Sequence, residues 1–291
     1  MKTVLIAAAA LAACAAAAPA SAAEVEIRNA VARVVVIVED RQDVAVEVTQ
    51  GRSRLPALQV RRQGRDVRID GGLRRTGMWG GDIRNCNAGR AGAAQPGEGA
   101  SVEVRNLGRV RLEDAPLIVL RTPRYVDVSA EGAVFGAVGR GARSVELDSG
   151  GCGSWTVANV DGGLELSVCG SGSIRAGASR SLVANVGGSS SVAAGATGNL
   201  KTSVGGAGRV DVAAVSGQGD ISIGGSGGVT VRQGRLDKLS VSIGGSGEVH
   251  YGGTTRDLNA AIAGSGSVYV AAATGSISRS IVGSGSVQIG R

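Results

Sequence analysis

Residues 239–251 read LSVSIGGSGEVHY, and this stretch decides the fold. Its large apolar side chains, from Leu239 to Tyr251, share one parity, whereas its serines, Glu248 and His250 share the other. Alternation with a period of two is typical of a β-strand, because a helix repeats its apolar positions every three or four residues. The stretch therefore predicts two strands that meet at a glycine-framed bend.

The bend motif is repeated along the second half of the chain. The pattern hydrophobic-x-Gly-Ser-Gly-x-hydrophobic occurs eight times at intervals of 18 to 20 residues, and a degenerate ninth copy surrounds Gly132. No helical repeat is this short, so the period indicates a stack of β-rungs that bury their apolar faces against each other. The first glycines of the eight copies are Gly151, Gly170, Gly188, Gly206, Gly225, Gly245, Gly264 and Gly283.

A unit of this length predicts the architecture. About 19 residues, at roughly 3.3 Å per strand residue, encircle a narrow core once. We therefore predict an all-β fold, a right-handed parallel β-helix, because parallel crossovers are right-handed. Both glycines of each motif share the parity of the apolar residues, so we expect both to point into the interior. The residue between them, mostly serine, is expected to face solvent.

The first half lacks the motif but also alternates. Residues 24–125 contain several valine-rich runs of period two, which predict strands. Residues 76–100 are rich in Gly, Ala and Asn and are predicted to form a long irregular loop. We expect residues 23–125 to begin the helix and close its N-terminal end, before the repeat of residues 126–291. A small separate β-domain is the alternative.

Residues 1–22 have the pattern of a secretory signal peptide. Lys2 is followed by an apolar, alanine-rich run and then by Pro-Ala-Ser-Ala. Cleavage between Ala22 and Ala23 predicts an exported protein, periplasmic or extracellular. The alternative is a lipid anchor on Cys14, because Leu-Ala-Ala-Cys matches a lipobox. No other apolar segment approaches the ~20 residues of a spanning helix, so no transmembrane segment is expected.

The positive charge is concentrated in the first half. The chain has a net charge of +7; residues 24–143 carry 20 basic and 15 acidic residues, and residues 144–291 carry 10 and 9. Nearly all the basic residues are arginines, which bind phosphate and carboxylate groups well, so we predict anionic envelope polysaccharide or lipopolysaccharide as a partner. The alternative is ordinary solvated strand faces. Nucleic acid is not expected, because no aromatic residues are interleaved with a basic stripe.

Three cysteines follow the signal segment. An oxidising compartment allows them one disulfide and leaves one thiol free. Cys152 and Cys169 are predicted to face outward on adjacent rungs with an offset of two residues, and such a diagonal of about 7–8 Å is at or beyond disulfide reach. We therefore favour a bond between Cys86 and Cys152. No metal site is expected, because neither a CxxC motif nor a histidine cluster accompanies them.

The glycine-rich motifs lack the residues of calcium and nucleotide sites. A calcium-binding nonapeptide needs a carboxylate where this chain has Val229, and no Gly-Lys-Ser/Thr sequence indicates a P-loop. His250 is the only histidine and is predicted to lie beside Glu248 on the outer face, without a nucleophile motif. The other outward positions are mostly Ser, Ala, Gly and isolated charges. We therefore expect neither catalytic residues nor a cofactor.

Two arginines mark the C-terminal rung. Arg279 falls at an inward position between Ile277 and Ile281, and Arg291 closes the chain. An uncovered strand edge pairs readily with another chain, and charge opposes such pairing. We predict that Arg279 and Arg291 act as gatekeepers of this edge. The alternative for Arg279 is a side chain that extends from a loosened terminal rung to reach water.

The repeated unit has a family resemblance. Ile243-Gly-Gly-Ser-Gly-Glu-Val249, together with Val-Asp-Val-Ser129 and the signal segment, resembles the bacterial head GIN domain family of autotransporter adhesins over about residues 24–290. The resemblance implies an exported β-helical domain without family catalytic residues. We therefore expect a non-enzymatic cell-envelope protein with an adhesin-like, binding or structural role. The alternatives are a β-helical carbohydrate-active enzyme or polysaccharide-binding protein, and an element that self-associates through its C-terminal edge.

Overall fold

The computed structural model describes residues 23–74, 81–89 and 95–290. These residues form 22 β-strands and one short 3₁₀ helix, so the all-β prediction is confirmed. The predicted signal segment 1–22, which includes Cys14 and Ala22, lies outside the described residues, as does Arg291. Ala23 is the first described residue, and it is buried.

Eight strands precede the repeat. They are β1 (Glu24–Val38), β2 (Ala45–Thr49), β3 (Gln59–Gln63), β4 (Asp66–Asp70), β5 (Ile83–Asn87), β6 (Ser101–Val104), β7 (Gly108–Arg111) and β8 (Leu117–Thr122), with the 3₁₀ helix Leu112–Asp114 between β7 and β8. Leu112 thus belongs to a helical turn that interrupts the predicted run of strands. The strands β4 and β8 pair in parallel with β1, while β3 and β2 pair antiparallel with β4 and β8.

The repeat contains the remaining strands. They are β9 (Tyr125–Val138), β10 (Ser144–Gly151), β11 (Ser154–Val157), β12 (Gly163–Gly170), β13 (Ser173–Ala176), β14 (Ser179–Gly188), β15 (Ser191–Gly206), β16 (Arg209–Val215), β17 (Gln218–Gly225), β18 (Gly228–Gly245), β19 (Glu248–Gly264), β20 (Ser267–Ala273), β21 (Ile277–Val282) and β22 (Ser286–Ile289). Each pairs in parallel with the strand one repeat away. About nine turns of about 19 residues span residues 125–289, which confirms the β-solenoid.

The residues that the alternating sequence pattern predicts to face inward are the ones that form the core. Leu239, Val241 and Ile243 are buried, and each pairs with an apolar residue of the next rung. The serine between the glycines is exposed, as at Ser226 and Ser246. The pairing is continuous through each bend motif, although the register shifts elsewhere, as between Val231 and Arg235. Around the motif the apolar residues therefore form columns along the interior and the serines form a column outside.

The two glycines of each motif have different roles. We expected both glycines to point into the interior, and this is wrong for the first glycine of the motif. The first glycine, as at Gly225, has a positive φ of +129° and is only partly buried, so it makes the corner itself. The second, as at Gly227, is buried, and a Cβ there would lie 2.6 Å from the core atom Cγ1 of Val204. The first glycine therefore serves the backbone turn and the second serves the narrow interior.

The strand β1 forms a rung of its own beneath β9. Its register pairs Val25 with Val128 and Val34 with Gly136, although the strands are separated by residues 39–124. The strands β4 and β8 lie on the other side of β1. Residues 39–124 therefore leave the solenoid after its first rung, and their strands β4 and β8 close its N-terminal end.

Part of segment 39–124 forms a three-stranded antiparallel sheet, β5–β6–β7, which we call the inserted sheet. The predicted loop over residues 76–100 is wrong at Ile83–Asn87, which forms β5. Its sequence, IRNCN, has no apolar alternation that would predict a strand. It is a strand because it pairs with β6. The inserted sheet buries Val102 and Val104 against Phe135, an outward residue of the solenoid, in a second small core.

Candidate functional site

A disulfide ties the inserted sheet to the solenoid. Cys86 of β5 is bonded to Cys152, which follows β10, and their Cα atoms are 6.1 Å apart. The bond spans 66 residues of sequence. Cys169 is a free, exposed thiol on the next rung. It lies with Cys152 along a groove of about 840 Å³ between the inserted sheet and the outer face of the solenoid.

Carboxylates form a column on one outer face. Glu24, Asp127, Glu146 and Glu165 occupy equivalent positions on four successive rungs, so each faces the next across paired strands. Paired strands lie about 4.8 Å apart. The backbone N–H of Glu24 also donates to the carboxylate of Asp66, at 3.1 Å. We call the four aligned residues the carboxylate column.

The column corrects the sequence-based view that the outward charges are isolated. Asp127, Glu146 and Glu165 follow one another at the 19-residue interval of the repeat, so the spacing itself contains the signal. The charges are distant in sequence, and only the stacking of rungs brings them together. Within the described residues, no three Asp, Glu, His or Cys side chains are arranged to hold a metal ion.

Burial and like charge act together on the column. Burial, together with the neighbouring carboxylates Glu146 and Glu24, raises the pKa of Asp127 to about 6. Burial and the proximity of Glu165 also raise the pKa of Glu146. A carboxyl group with a raised pKa costs free energy when it ionises in the folded state. The column is therefore a source of pH-dependent instability near neutral pH.

Replacing Asp127 with Asn should stabilise the protein at about pH 7.5. The folded pKa of about 6 exceeds the unfolded value of about 3.9, so ionisation destabilises the fold above pH 6 and protonation relieves this as the pH falls. The gain should be about 1 kcal/mol, since solvent screens a half-exposed group. Urea unfolding at several pH values measures it, and the advantage should vanish near pH 4.

The matched control is Asp220→Asn. Asp220 lies in the same column of positions further along the solenoid, where the residue directly opposite on the neighbouring strand is Lys201. Removing its charge removes an attraction and should not stabilise the protein at pH 7.5. Equal effects of the two substitutions, or an Asp127→Asn advantage that persists at pH 4, would contradict the assignment of strain to the carboxylate column.

The arginines gather at the N-terminal end. Residues 39–124 contain 16 arginines, of which Arg75 and Arg90 lie outside the described residues, and 11 acidic residues. The structure places β4 and β8 on β1 and packs the inserted sheet against the outer face of the solenoid. Several of these arginines are already engaged. Arg62 donates to the carbonyl of Val44 at 2.9 Å, and Arg68 pairs with Glu26 at 2.7 Å. All five residues of β3 are exposed, so this end presents positive charge to solvent.

The remaining predicted site residues lie near the other end. His250 is exposed on the outer face, where its ring stacks on that of Tyr269 with centroids 4.7 Å apart. Arg279 pairs with the buried Ala260, which puts it in a core column, but the side chain is exposed because no further described rung covers β21. Ile277 and Ile281 are 45% and 40% exposed on the same strand. The gatekeeper role of Arg279 stays a prediction.

The fold and the site define the class of protein. No protein-family model, curated protein or solved structure matches the chain. Among the residues that the structure describes, no helix has the length and apolar character needed to cross a lipid bilayer. The chain is a β-solenoid protein with an arginine-rich N-terminal end and a carboxylate column on one outer face.

Proposed function

We propose that this chain is an exported, non-enzymatic cell-envelope protein that binds anionic polymers through its N-terminal end. The observation that carries the proposal is the spatial separation of charge. The described residues of segment 39–124 carry 14 arginines and 11 acidic residues, a net charge of +3, whereas residues 144–290, most of the solenoid, carry 9 basic and 9 acidic residues and have no net charge. A positive surface attracts polyanions, and guanidinium groups pair with phosphate and carboxylate oxygens.

The resemblance of the repeats to the bacterial head GIN domain family supports the same proposal. It implies an exported, adhesin-like protein of the periplasm or cell surface, with the segment before Ala23 as its signal. The polymers that fit the positive end are acidic envelope polysaccharide and lipopolysaccharide. Mass spectrometry of the native N-terminus tests the export step, because cleavage before Ala23 and lipidation of Cys14 give different masses.

The binding step is tested with the purified protein on immobilised polymers. We expect lipopolysaccharide or polygalacturonate to bind and neutral dextran not to bind. The attraction is electrostatic, so raising the salt from about 0.05 M to about 0.5 M should weaken binding at least tenfold. Equal binding to dextran, or no binding to either acidic polymer at low salt, would refute the proposal.

The carboxylate column favours a second candidate, a carbohydrate-active enzyme. Retaining glycosidases use two carboxyl groups about 5 Å apart, one of them with a raised pKa. Asp127, whose pKa is raised, lies opposite Glu146 on the adjacent rung, and paired strands are about 4.8 Å apart. Incubation of the protein with acidic polysaccharides separates the candidates. New reducing or unsaturated ends that disappear with Asp127→Asn would favour the enzyme and count against a purely binding role.

A further inference from the structure

Four arginines line one cleft at the N-terminal end. Arg52 and Arg54 come from the loop after β2, and Arg109 and Arg111 come from the outward face of β7, with Val110 buried between them. The cleft has a volume of about 240 Å³. We call it the arginine cleft. Its two walls are more than 50 residues apart in sequence, so it is a product of the tertiary fold.

The walls are fixed to each other through the 3₁₀ helix. The backbone N–H of Ser53 donates to the carbonyl oxygen of Asp114 at 3.0 Å. A Cβ at Gly51 would overlap that same carbonyl, so the loop packs directly on the helix backbone. The carboxylate of Asp114 accepts two hydrogen bonds from Arg111, at 2.9 and 3.0 Å, and pairs with Arg52 at 3.4 Å. One carboxylate thus positions an arginine from each wall.

The other two arginines are not engaged. Among the described residues, the side chains of Arg54 and Arg109 make neither a hydrogen bond nor an ion pair. Asp114, the nearby Glu113 and Glu103, which lies opposite Arg109 on the paired strand β6, leave the four arginines with a net charge of +1. The guanidinium groups of Arg54 and Arg109 therefore keep donors free for an anion from solution.

We propose that the arginine cleft binds a phosphate-bearing group, a phosphomonoester or diphosphate. This rests on the proposed function in that it names the group of the anionic polymer that is recognised. A single uronate carboxylate fills one guanidinium fork, whereas a phosphoryl group offers three oxygens to forks on both walls. Lipopolysaccharide phosphate and a soluble phosphate compound share this chemistry.

Calorimetry with inorganic pyrophosphate tests the site. The native chain should bind pyrophosphate, and Arg54→Ala/Arg109→Ala should bind it at least tenfold more weakly. The control is Arg232→Ala/Arg235→Ala, which removes the same charge from exposed positions of β18 and should change binding less than twofold. Arg54→Lys/Arg109→Lys retains the charge without the forks and should bind more weakly than the native chain. Circular dichroism checks that each variant is folded.

Lipopolysaccharide before and after phosphate removal distinguishes the sources. If the phosphate is carried by the polymer, dephosphorylation should weaken binding to the native chain about as much as the Arg54→Ala/Arg109→Ala variant does. Pyrophosphate binding without any loss on dephosphorylation indicates a soluble phosphate compound and keeps the site. Equal pyrophosphate affinity in the native chain and the double alanine variant overturns the site, even where acidic polymers bind. Cleft-dependent pyrophosphate binding without any polymer binding overturns the proposed function alone.

Discussion

Gly225→Ala should lower the free energy of unfolding by about 3 kcal/mol or more. The residue has a φ of +129°, which costs a side-chain-bearing residue about 1–3 kcal/mol. Its new Cβ would also lie 2.5 Å from the carbonyl oxygen of Gly206 on the rung below. The rungs can avoid this overlap only by separating, which weakens the backbone hydrogen bonds beside it. Urea unfolding followed by circular dichroism measures the loss.

The neighbouring glycine is the matched control. A Cβ at Gly224 would meet no heavy atom within 4 Å, and its φ is not positive. Gly224→Ala makes the same chemical change one residue away and should alter stability by less than about 0.5 kcal/mol. A similar fall in the urea midpoint for both variants would show that the corner does not depend on the conformation of Gly225.

Loss of the disulfide should release the inserted sheet. Cys86→Ala/Cys152→Ala removes a cross-link over 66 residues, for which loop-closure entropy predicts about 4 kcal/mol. The inserted sheet has only three strands and a small core, so it depends on this link more than the stacked rungs do. Amide hydrogens of β5 to β7 should exchange several hundredfold to about a thousandfold faster, while those of β17 to β19 keep their native rates.

Cys169→Ala is the control for cysteine removal. Cys169 is exposed and unbonded, so its replacement should leave the exchange rates of the inserted sheet unchanged. Adding a reducing agent to the native chain should reproduce the effect of the double substitution. Native exchange rates of β5 to β7 in the double variant would mean that the second core holds the sheet by itself.

The repeat could be predicted because its information is local. Leu239, Val241 and Ile243 alternate within one strand, and the next rung presents the same pattern to pair with it. A one-residue slip would expose the whole core, so the parity excludes it, and the repeated glycine motif aligns each rung with the next. The individual roles of the glycines needed the backbone angles, because Gly225 and Gly227 share a parity while only the first has a positive φ.

The site was less predictable because it is made of distant pairings. The net charge of the first half indicated a positive region but not the arginine cleft, which needs the loop at Arg54 packed beside Arg109. The carboxylate column could have been predicted from the sequence, since Asp127 and Glu146 are one repeat apart. Recognising it required reading the outward positions with the same period as the inward ones.

The sequence by itself determined the strands, their parity and the length of each rung, because a solenoid unit meets only copies of its own pattern. Tertiary structure decided where residues 39–124 go. Their strands pair with β1, and their sheet covers Phe135 through contacts that no local alternation encodes. It also decided which charges meet, because side chains far apart in sequence become neighbours only when the backbone hydrogen bonds of stacked rungs fix their spacing.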